Sequence, residues 1–206
     1  MQRGVVCKSD CPAMHLETRN RQVTGVQMAQ GFAAAGSVLI AAGAWTDSLL
    51  AQTHWRPGIC PVRGQMVLLH TIEPLLRNVL LNGARYVVPR PDGHVLIGST
   101  EENAGFNKQT TAEAVEQLLH FGCDLVPGLK AASVERSWAG LRPGTPDGLP
   151  YIGRVPGFDN LYVAAGHFRA GIQLSPATGL VMKELIMGQR LSVPLEDFRI
   201  DRRLLA

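Results

Sequence analysis

The sequence predicts an α/β (α+β) fold, in which an incomplete α/β layer is joined to a domain built on an antiparallel sheet. Two apolar segments, residues 38–42 and 161–165, each run directly into a glycine, as buried parallel strands do when they end at a ligand crevice. Between them lies a run of alternating strands with a hairpin, and two further segments have helical periodicity. The 206 residues are enough for one domain or two small ones.

Composition indicates a globular protein and excludes several classes of function. Apolar residues make up 46% of the chain and charged residues 18%, which is not the balance of a disordered protein. The net charge is only +3 and the basic residues are dispersed, so we expect no nucleic-acid partner. The four cysteines form no CxxC pair, which predicts reduced thiols, a cytoplasmic location and no metal site.

From the sequence we expect neither a signal peptide nor a membrane span. The apolar run near Met1 has only two or three residues. The apolar part of the longest uncharged stretch, residues 32–45, is shorter than the roughly 20 residues that a spanning helix needs.

Weak alternation near the start predicts two short strands, at 15–18 and 23–27, joined by a turn near Asn20. The apolar strand at 38–42 should then open into a short helix. Thr46 or Asp47 is the expected N-cap of that helix, because both residue types accept hydrogen bonds from free backbone N–H groups.

Antiparallel strands are predicted in the middle of the chain, the first at 61–69. Residues 85–89 and 94–98 form the clearest pair, because the segment between them contains Pro-Asp-Gly at 91–93. Proline fixes φ and glycine supplies a positive φ, so this tripeptide favours a tight hairpin turn. A further strand is predicted at 134–139.

Two helices are predicted in the second half. The first covers 110–125 with Thr110 or Thr111 as its N-cap. Its expected buried face consists of Val115, Leu118 and Leu119. The second begins at Ser175 as N-cap, has Pro176 in its first turn and ends just before Gly188. Its expected buried stripe consists of Leu180, Val181, Leu185 and Ile186.

Several common catalytic and phosphate-binding motifs are absent from the sequence. No two glycines stand two residues apart, so GxGxxG cannot occur. The sequence also lacks GxxxxGK[ST] and GxSxG, the signatures of a P-loop and of a nucleophile elbow.

Polar residues interrupt the apolar pattern at three places. Arg142 lies between a predicted strand and a Pro/Gly-rich loop, where its guanidinium can bind a carboxylate, unless it is an ordinary surface arginine. Residues 165–176 place a basic cluster before a helix N-terminus, which favours an anion or an electron-rich ring, although a plain strand-to-helix turn is an equal alternative. The third place is Tyr86, whose hydroxyl needs a partner if it is buried; the alternative is an ordinary core tyrosine on a strand.

Taken together, these segments resemble the carboxyl-terminal half of the D-amino-acid-oxidase-type flavoenzymes, and most closely the glycine oxidases of thiamine biosynthesis. The similar stretches cover most of residues 38–206, and the most specific are WAGLRPGTPDG (138–148) and GHFRAGI (166–172). The others are AAGAW (41–45), PVRGQ (61–65), YVVPRPDGHVLIGST (86–100) and FRIDR (198–202).

The resemblance implies that FAD is the cofactor and that glycine, or another small amino acid or amine, is oxidatively deaminated while O2 is reduced to H2O2. It implies that Arg142, Tyr86 and Arg169 bind the substrate. No residue is assigned as an acid or a base. The implied cofactor-binding residues are His167, Phe168, Arg169, Ala170, Gly171, Ile172, Gln173 and Gly43.

On this interpretation residues 1–55 and 140–206 form a partial FAD-binding domain, and residues 56–139 form the substrate-binding domain with its antiparallel sheet. The half of the family that carries GxGxxG would precede this sequence. We therefore expect a fragment, a truncated product or one half of a split enzyme, with weakened FAD binding. Apolar surface exposed in this way predicts a homo-oligomer.

Two alternatives stay open at the level of sequence. One is an amino-acid dehydrogenase or a sarcosine-oxidase-like enzyme, and the other is a non-catalytic fragment that cannot hold FAD alone. Glu101 is charged where the family has an apolar residue near the substrate, so the preferred amine is also open.

Overall fold

The structure, a computed structural model, describes residues 4–202. The chain divides into two compact units, one formed by the residues up to Cys60 and from Pro143 onward, and the other by Pro61–Arg142. These boundaries lie within five residues of the predicted ones. The predicted α/β class with antiparallel sheets is confirmed.

The described part of the chain contains eleven strands and three α-helices, joined by loops and short 3-10 turns. The strands are β1 (Ala13–Arg19), β2 (Gln22–Met28), β3 (Gly31–Ala34), β4 (Val38–Ile40), β5 (Cys60–His70), β6 (Leu80–Asn82), β7 (Arg85–Pro89), β8 (His94–Gly98), β9 (Ser133–Gly144), β10 (Tyr151–Arg154) and β11 (Leu161–Ala165). The helices are α1 (Thr46–Leu50), α2 (Ala112–Leu125) and α3 (Gly171–Ile186).

The first unit contains two three-stranded sheets. β1, β2 and β3 form an antiparallel meander, and positive φ values at Asn20 and Arg21 make the predicted turn between the first two. In the other sheet β11 lies between β10 and β4 and is parallel to β4. The two apolar segments that end in glycine therefore belong to one sheet, as predicted.

Neither Thr46 nor Asp47 caps α1, so this prediction is wrong. A 3-10 turn precedes the helix and moves the cap position to Trp45, which makes no side-chain capping bond. The Asp47 carboxylate accepts the backbone N–H groups of Gly58 and Ile59 instead, at 3.1 and 3.2 Å.

The helix α3 begins at Gly171, four residues before the predicted N-cap Ser175. Pro176 lies inside the helix and has no N–H to donate to the carbonyl of Ile172. The Ser175 hydroxyl donates to that carbonyl at 2.9 Å, so the acceptor is satisfied and the helix continues through the proline. The cap position belongs to Ala170.

The buried stripe of α3 is confirmed for Val181, Leu185 and Ile186, which pack in the cluster that includes β10 and β11 residues. It is wrong for Leu180, which is 49% exposed, whereas Met182 is buried. Two positions along a helix correspond to a rotation of about 200°. A stripe centred on Val181 and Met182 therefore turns Leu180 away from the sheet.

The second unit is a five-stranded sheet of order β6-β7-β8-β5-β9 with α2 on one side. The β7–β8 hairpin has the predicted bounds, and Gly93 in its turn has the expected positive φ. The Thr111 side chain caps α2 by accepting the N–H of Ala114 at 3.3 Å. Leu118 is fully buried against the sheet, with Val115 and Leu119 packed beside it, as predicted.

Three strands, β3, β6 and β10, were not predicted. β3 and β6 have only four and three residues, too few to establish an alternating pattern. β10 follows the Pro/Gly-rich segment 143–150 and pairs with β11, which lies more than six residues further along the chain. Its formation depends on that pairing and not on a local signal.

No helix within residues 4–202 is both long and apolar enough to cross a bilayer. All four cysteines lie in this range and are free. A cytoplasmic location stays a prediction.

A buried ion pair fixes the segment FRIDR (198–202) to the loop that follows β9. The side chains of Arg202 and Asp147 are 5% and 4% exposed, and Nε and Nη2 donate to the two carboxylate oxygens at 2.8 Å each. The guanidinium also donates to the carbonyls of Leu149 and Pro150 and lies 3.8 Å from the ring centroid of Tyr151. Hydrogen bonding from Arg202 is the main cause that lowers the pKa of Asp147.

Asp147→Asn should lower the free energy of unfolding by about 3–5 kcal/mol, because it leaves the Arg202 guanidinium buried without its counter-charge. Urea denaturation at neutral pH measures this change. The matched control is Asp124→Asn, whose carboxylate pairs with His120 on the surface, and which should cost less than about 1 kcal/mol.

The loss of unfolding free energy caused by Asp147→Asn should also depend on pH. A lowered folded-state pKa means that the contribution of Asp147 is complete above the unfolded-state pKa near 4 and is lost as the pH falls through the folded-state value. Equal losses for the two variants at neutral pH would contradict a structural role for the pair.

Candidate active site

Arg142, on β9, is held by the turn that follows β8. Its Nη2 donates to the Ser99 hydroxyl, and its Nη1 donates to the Thr100 carbonyl at 3.3 Å. The residue is half-buried, and no carboxylate within the described range pairs with it. Because a guanidinium has five N–H donors, Arg142 keeps donors for a carboxylate ligand.

The guanidinium of Arg142 lies directly over Gly64 on β5. A Cβ atom at this glycine would come within 2.5 Å of Cζ and closer still to both terminal nitrogens. Gly64 was not predicted as a site residue. The available signal was a glycine between two polar residues, Arg63 and Gln65, in a strand that is otherwise apolar.

Tyr86 lies on the same face of the sheet as Arg142. It pairs with Gly98 across the hairpin, and its hydroxyl oxygen would be 2.9 Å from a Cβ at that glycine. Gly98 in turn pairs with Met66, which is two residues from Gly64 on β5. Since alternate residues share a face, the structure brings the two predicted substrate-binding residues of this unit to one side of the sheet.

The residues that hold Arg142 form a β-bulge. Regular pairing between β5 and β8 ends at Gly98 and resumes as a bridge between Arg63 and Glu102. Between these points β5 has two residues and the opposite segment has three. The extra residue bends the segment and changes the direction of its groups, which places the Ser99 hydroxyl and the Thr100 carbonyl against one guanidinium.

Polar side chains support this bulge from the side of α2. The Glu102 carboxylate accepts from Arg63 Nε at 3.1 Å, from Gln65 Nε2 at 2.9 Å and from the Thr100 hydroxyl. Burial alone would raise the pKa of Glu102, but the hydrogen bonds from Thr100, Arg63 and Gln65 together lower it below its usual value. Glu102 is therefore ionised at neutral pH, and its role was not predicted.

In the first unit, β4 and β11 border one cavity of about 420 Å³, here called the strand-end cavity. Gly43 and Gly166 have φ values of +54° and +84°, so each turns the chain sharply where its strand ends. Four predicted cofactor residues line the cavity: Gly43, His167, Phe168 and Gly171. The rest of the lining consists of Leu39, Ala41, Pro143, Ala164, Ala165, Gly166, Ser175, Thr178, Gly179 and Met182.

The N-terminus of α3 begins at this cavity. Its first turn contains no acidic residue and no side chain caps it, so the backbone N–H groups can bind an anion or an electron-rich ring. Of the implied cofactor-binding residues, Gly171, Ile172 and Gln173 belong to the helix, which begins at Gly171. The lining does not include Arg169, Ala170, Ile172 or Gln173.

Arg169 belongs to the first unit and is exposed, with its guanidinium 5.7 Å from the ring centroid of Phe168. Its role in substrate binding stays a prediction.

His167 contributes a neutral ring to the strand-end cavity. Its Nε2 lies 3.0 Å from the Thr178 hydroxyl. Burial lowers the pKa of His167 below its usual value. The ring is therefore uncharged at neutral pH and can exchange a hydrogen bond with Thr178 without adding a charge to the cavity.

This shift predicts that stability falls as the pH drops below about 6.5, the usual histidine pKa, because the unfolded chain binds a proton that folded His167 resists. His167→Gln keeps a group that can bond to Thr178 but cannot titrate. The unfolding free energy of this variant should change less between pH 7.5 and pH 5.5, values on either side of roughly 6.5, than that of the unsubstituted protein. His120→Gln, on the exposed side of α2, is the control; an unchanged pH profile in His167→Gln would contradict the assignment.

Comparison with known proteins identifies the family of the chain. A family model described as FAD dependent oxidoreductase (DAO) matches residues 1–185. A glycine oxidase of Pseudomonas putida is 42% identical over 185 residues, which are 90% of this chain and 51% of that protein. The hydrogen cyanide synthase subunit HcnC of Pseudomonas protegens is 35% identical over 182 residues, 87% of this chain and 44% of its own length.

A solved structure has the same fold. The crystal structure of glycine oxidase from Geobacillus kaustophilus superposes with a TM-score of 0.88 at 34% identity, over 94% of this chain and 52% of that one. The chain thus spans about half the length of the relatives it matches. The resemblance to D-amino-acid-oxidase-type flavoenzymes is confirmed, and FAD is the cofactor of that family. The chain belongs to the DAO family of FAD-dependent oxidoreductases.

Proposed function

We propose that the protein containing this chain oxidatively deaminates glycine or another small amino acid, in the manner of a glycine oxidase. The observation that supports this most directly is the guanidinium of Arg142, held by Ser99 and Thr100 over Gly64. A half-buried arginine without a carboxylate partner, on the same sheet face as Tyr86, suits a substrate that carries its own carboxylate.

The strand-end cavity fits part of FAD. Its lining is mainly apolar, as a flat ring requires, and two glycine turns let the backbone approach closely. The uncapped start of α3 supplies N–H donors for the electron-rich edge of such a ring. When bound, FAD supplies the acceptor for the hydride of the substrate Cα–H and passes the electrons to O2, which becomes H2O2.

The residues of this chain bind and orient the substrate. Arg142 donates two parallel N–H bonds to the carboxylate, and the Tyr86 hydroxyl donates to the same group. Fixing the carboxylate at two points limits rotation of the substrate and presents its Cα–H in one direction. The overall reaction converts amino acid, O2 and water into 2-oxo acid, ammonia and H2O2.

The electron acceptor distinguishes this proposal from a dehydrogenase. The relatives include proteins named glycine oxidase and others named hydrogen cyanide synthase subunit, so related chains belong to proteins of more than one named activity. Glu101 lines a cavity of about 410 Å³ together with Ser99, Thr100 and, from α2, Glu113 and Gln117.

The test uses the protein as the cell contains it, isolated through a tag on this chain. Visible flavin absorption, oxygen uptake and peroxide release are measured with glycine and sarcosine, and reduction of a dye is measured without oxygen. The proposal predicts bound flavin and peroxide from glycine. Dye reduction without oxygen uptake would favour a dehydrogenase, and the absence of flavin would favour a non-catalytic chain.

Arg142→Ala should reduce kcat/KM for glycine by roughly 10- to 150-fold, because a hydrogen bond to a charged group contributes about 1.5–3 kcal/mol. The control is Arg136→Ala on the same strand, whose guanidinium stacks 4.8 Å from the ring centroid of Trp138. Unchanged kinetics of Arg142→Ala with glycine would remove this residue from the site.

Self-association of the chain stays a prediction. Large apolar side chains on and beside α3 are exposed, including Ile172 at 92% and Met187 at 66%.

A further inference from the structure

We infer that residues 63–65 of β5 form a two-sided positioning element for Arg142. The side chains of Arg63 and Gln65 fix the bulge from the side of α2, and Gly64 leaves the space in which the guanidinium lies on the opposite side. The inference rests on the proposed function only where it assigns a carboxylate to Arg142.

Successive side chains of a β-strand point to opposite faces of the sheet, so three consecutive residues can contact both faces. Arg63 and Gln65 point away from the face of Gly64, and they are 7% and 0% exposed. Val67, two residues further on, packs with Leu118 of α2, so these side chains lie on the helix side. Polar groups this deeply buried are stable only when they are hydrogen-bonded.

The side chains of Arg63 and Gln65 bond to Glu102, next to the bulge, and to the segment that enters α2. Arg63 and Gln65 both donate to the Glu102 carboxylate, and Arg63 also donates to the carbonyl of Gln109 at 3.0 Å. Gln65 Oε1 accepts the N–H of Thr111, the cap residue of α2, at 2.8 Å. The network is therefore attached to the helix as well as to the strand.

Thr100 transmits this support to Arg142. Its hydroxyl donates to Glu102 and accepts the N–H of Gln65 at 2.8 Å, and its own N–H donates to the Gln65 carbonyl at 3.2 Å. Two bonds fix its hydroxyl on the helix side and one fixes its N–H to β5, so its carbonyl stands in one position toward Arg142 Nη1. Removing the support should let the carbonyl, and with it the guanidinium, move.

Gly64 acts by leaving space. Its φ lies outside the left-handed region, so alanine can adopt the same backbone there. The three atoms nearest to an added Cβ all belong to the Arg142 guanidinium, which is the far end of a flexible side chain. Gly64→Ala should therefore fold, with the guanidinium displaced from its position.

The glycine on β9 that serves as the matched control is Gly140. A Cβ at this position would meet no atom within 4 Å, and its φ is also outside the left-handed region. Gly140→Ala makes the same chemical change on the strand that carries Arg142, without entering the space of the guanidinium.

The first measurement is NMR of arginine side chains in the chain itself, with the Nε–Hε signal of Arg142 assigned by its loss in Arg142→Lys. We expect this signal to shift in Gly64→Ala and in Glu102→Gln and to stay in place in Gly140→Ala. Glu102→Gln leaves Arg63 buried without a counter-charge and could unfold, whereas Gly64→Ala keeps the test valid. An unmoved Arg142 signal in folded Gly64→Ala would overturn the inference.

The second measurement is steady-state kinetics of the flavin-containing protein. Gly64→Ala should raise KM for glycine by roughly 10- to 150-fold, the range expected on loss of a charged hydrogen bond, and should change kcat much less. Added to Arg142→Ala, it should cause no further loss, because its effect acts through that residue. A full additional loss in the double variant would overturn the inference.

The two measurements separate the two proposals. A shifted Arg142 signal with an unchanged KM for glycine would support the positioning role of residues 63–65 and would contradict carboxylate binding by Arg142. A shifted signal with a raised KM supports both.

Discussion

The placement of one guanidinium over one strand glycine is the constraint on which the second unit depends. Arg142 requires room, which Gly64 leaves, and acceptors, which Ser99 and Thr100 supply. In a regular β-ladder the Thr100 carbonyl would accept from the neighbouring strand, and the bulge frees it for Arg142. The bulge in turn needs partners for its polar groups, and the buried network around Glu102 provides them.

The first unit places backbone at the edge of the strand-end cavity, where we propose that part of FAD binds. Parallel β4 and β11 end at one cavity, and glycine turns carry the chain away from its edge. Phe168 N–H donates to the carbonyl of Pro143 at 3.2 Å, which joins the cavity loop to the segment that follows Arg142. The ion pair of Asp147 and Arg202 holds the same segment. The segment after Arg142 is therefore held both by the cavity loop and by this ion pair.

Local patterns were predictable, and long-range pairings were not. The hairpin at Gly93 has its predicted bounds because alternation and turn residues agree. The start of α3 was misjudged because Pro176 marks a helix start in isolation, whereas the Ser175 hydroxyl satisfies the carbonyl that the proline leaves. The role of Arg142 stays a prediction from its residue type, its loop and the family resemblance. Gly64 was missed, because its contact with Arg142 depends on pairing between β5 and β9, some 70 residues apart, and the glycine between two polar residues is only a weak local signal.

Titration of the FAD-loaded protein with acetate and, separately, with its neutral isostere acetamide tests whether Arg142 binds a carboxylate. The Arg142 Nε–Hε signal is followed by NMR. We expect a saturable shift with acetate and none with acetamide, because only the carboxylate forms charge-assisted bonds to the guanidinium. An unmoved signal with acetate, or equal shifts with both compounds, would contradict it.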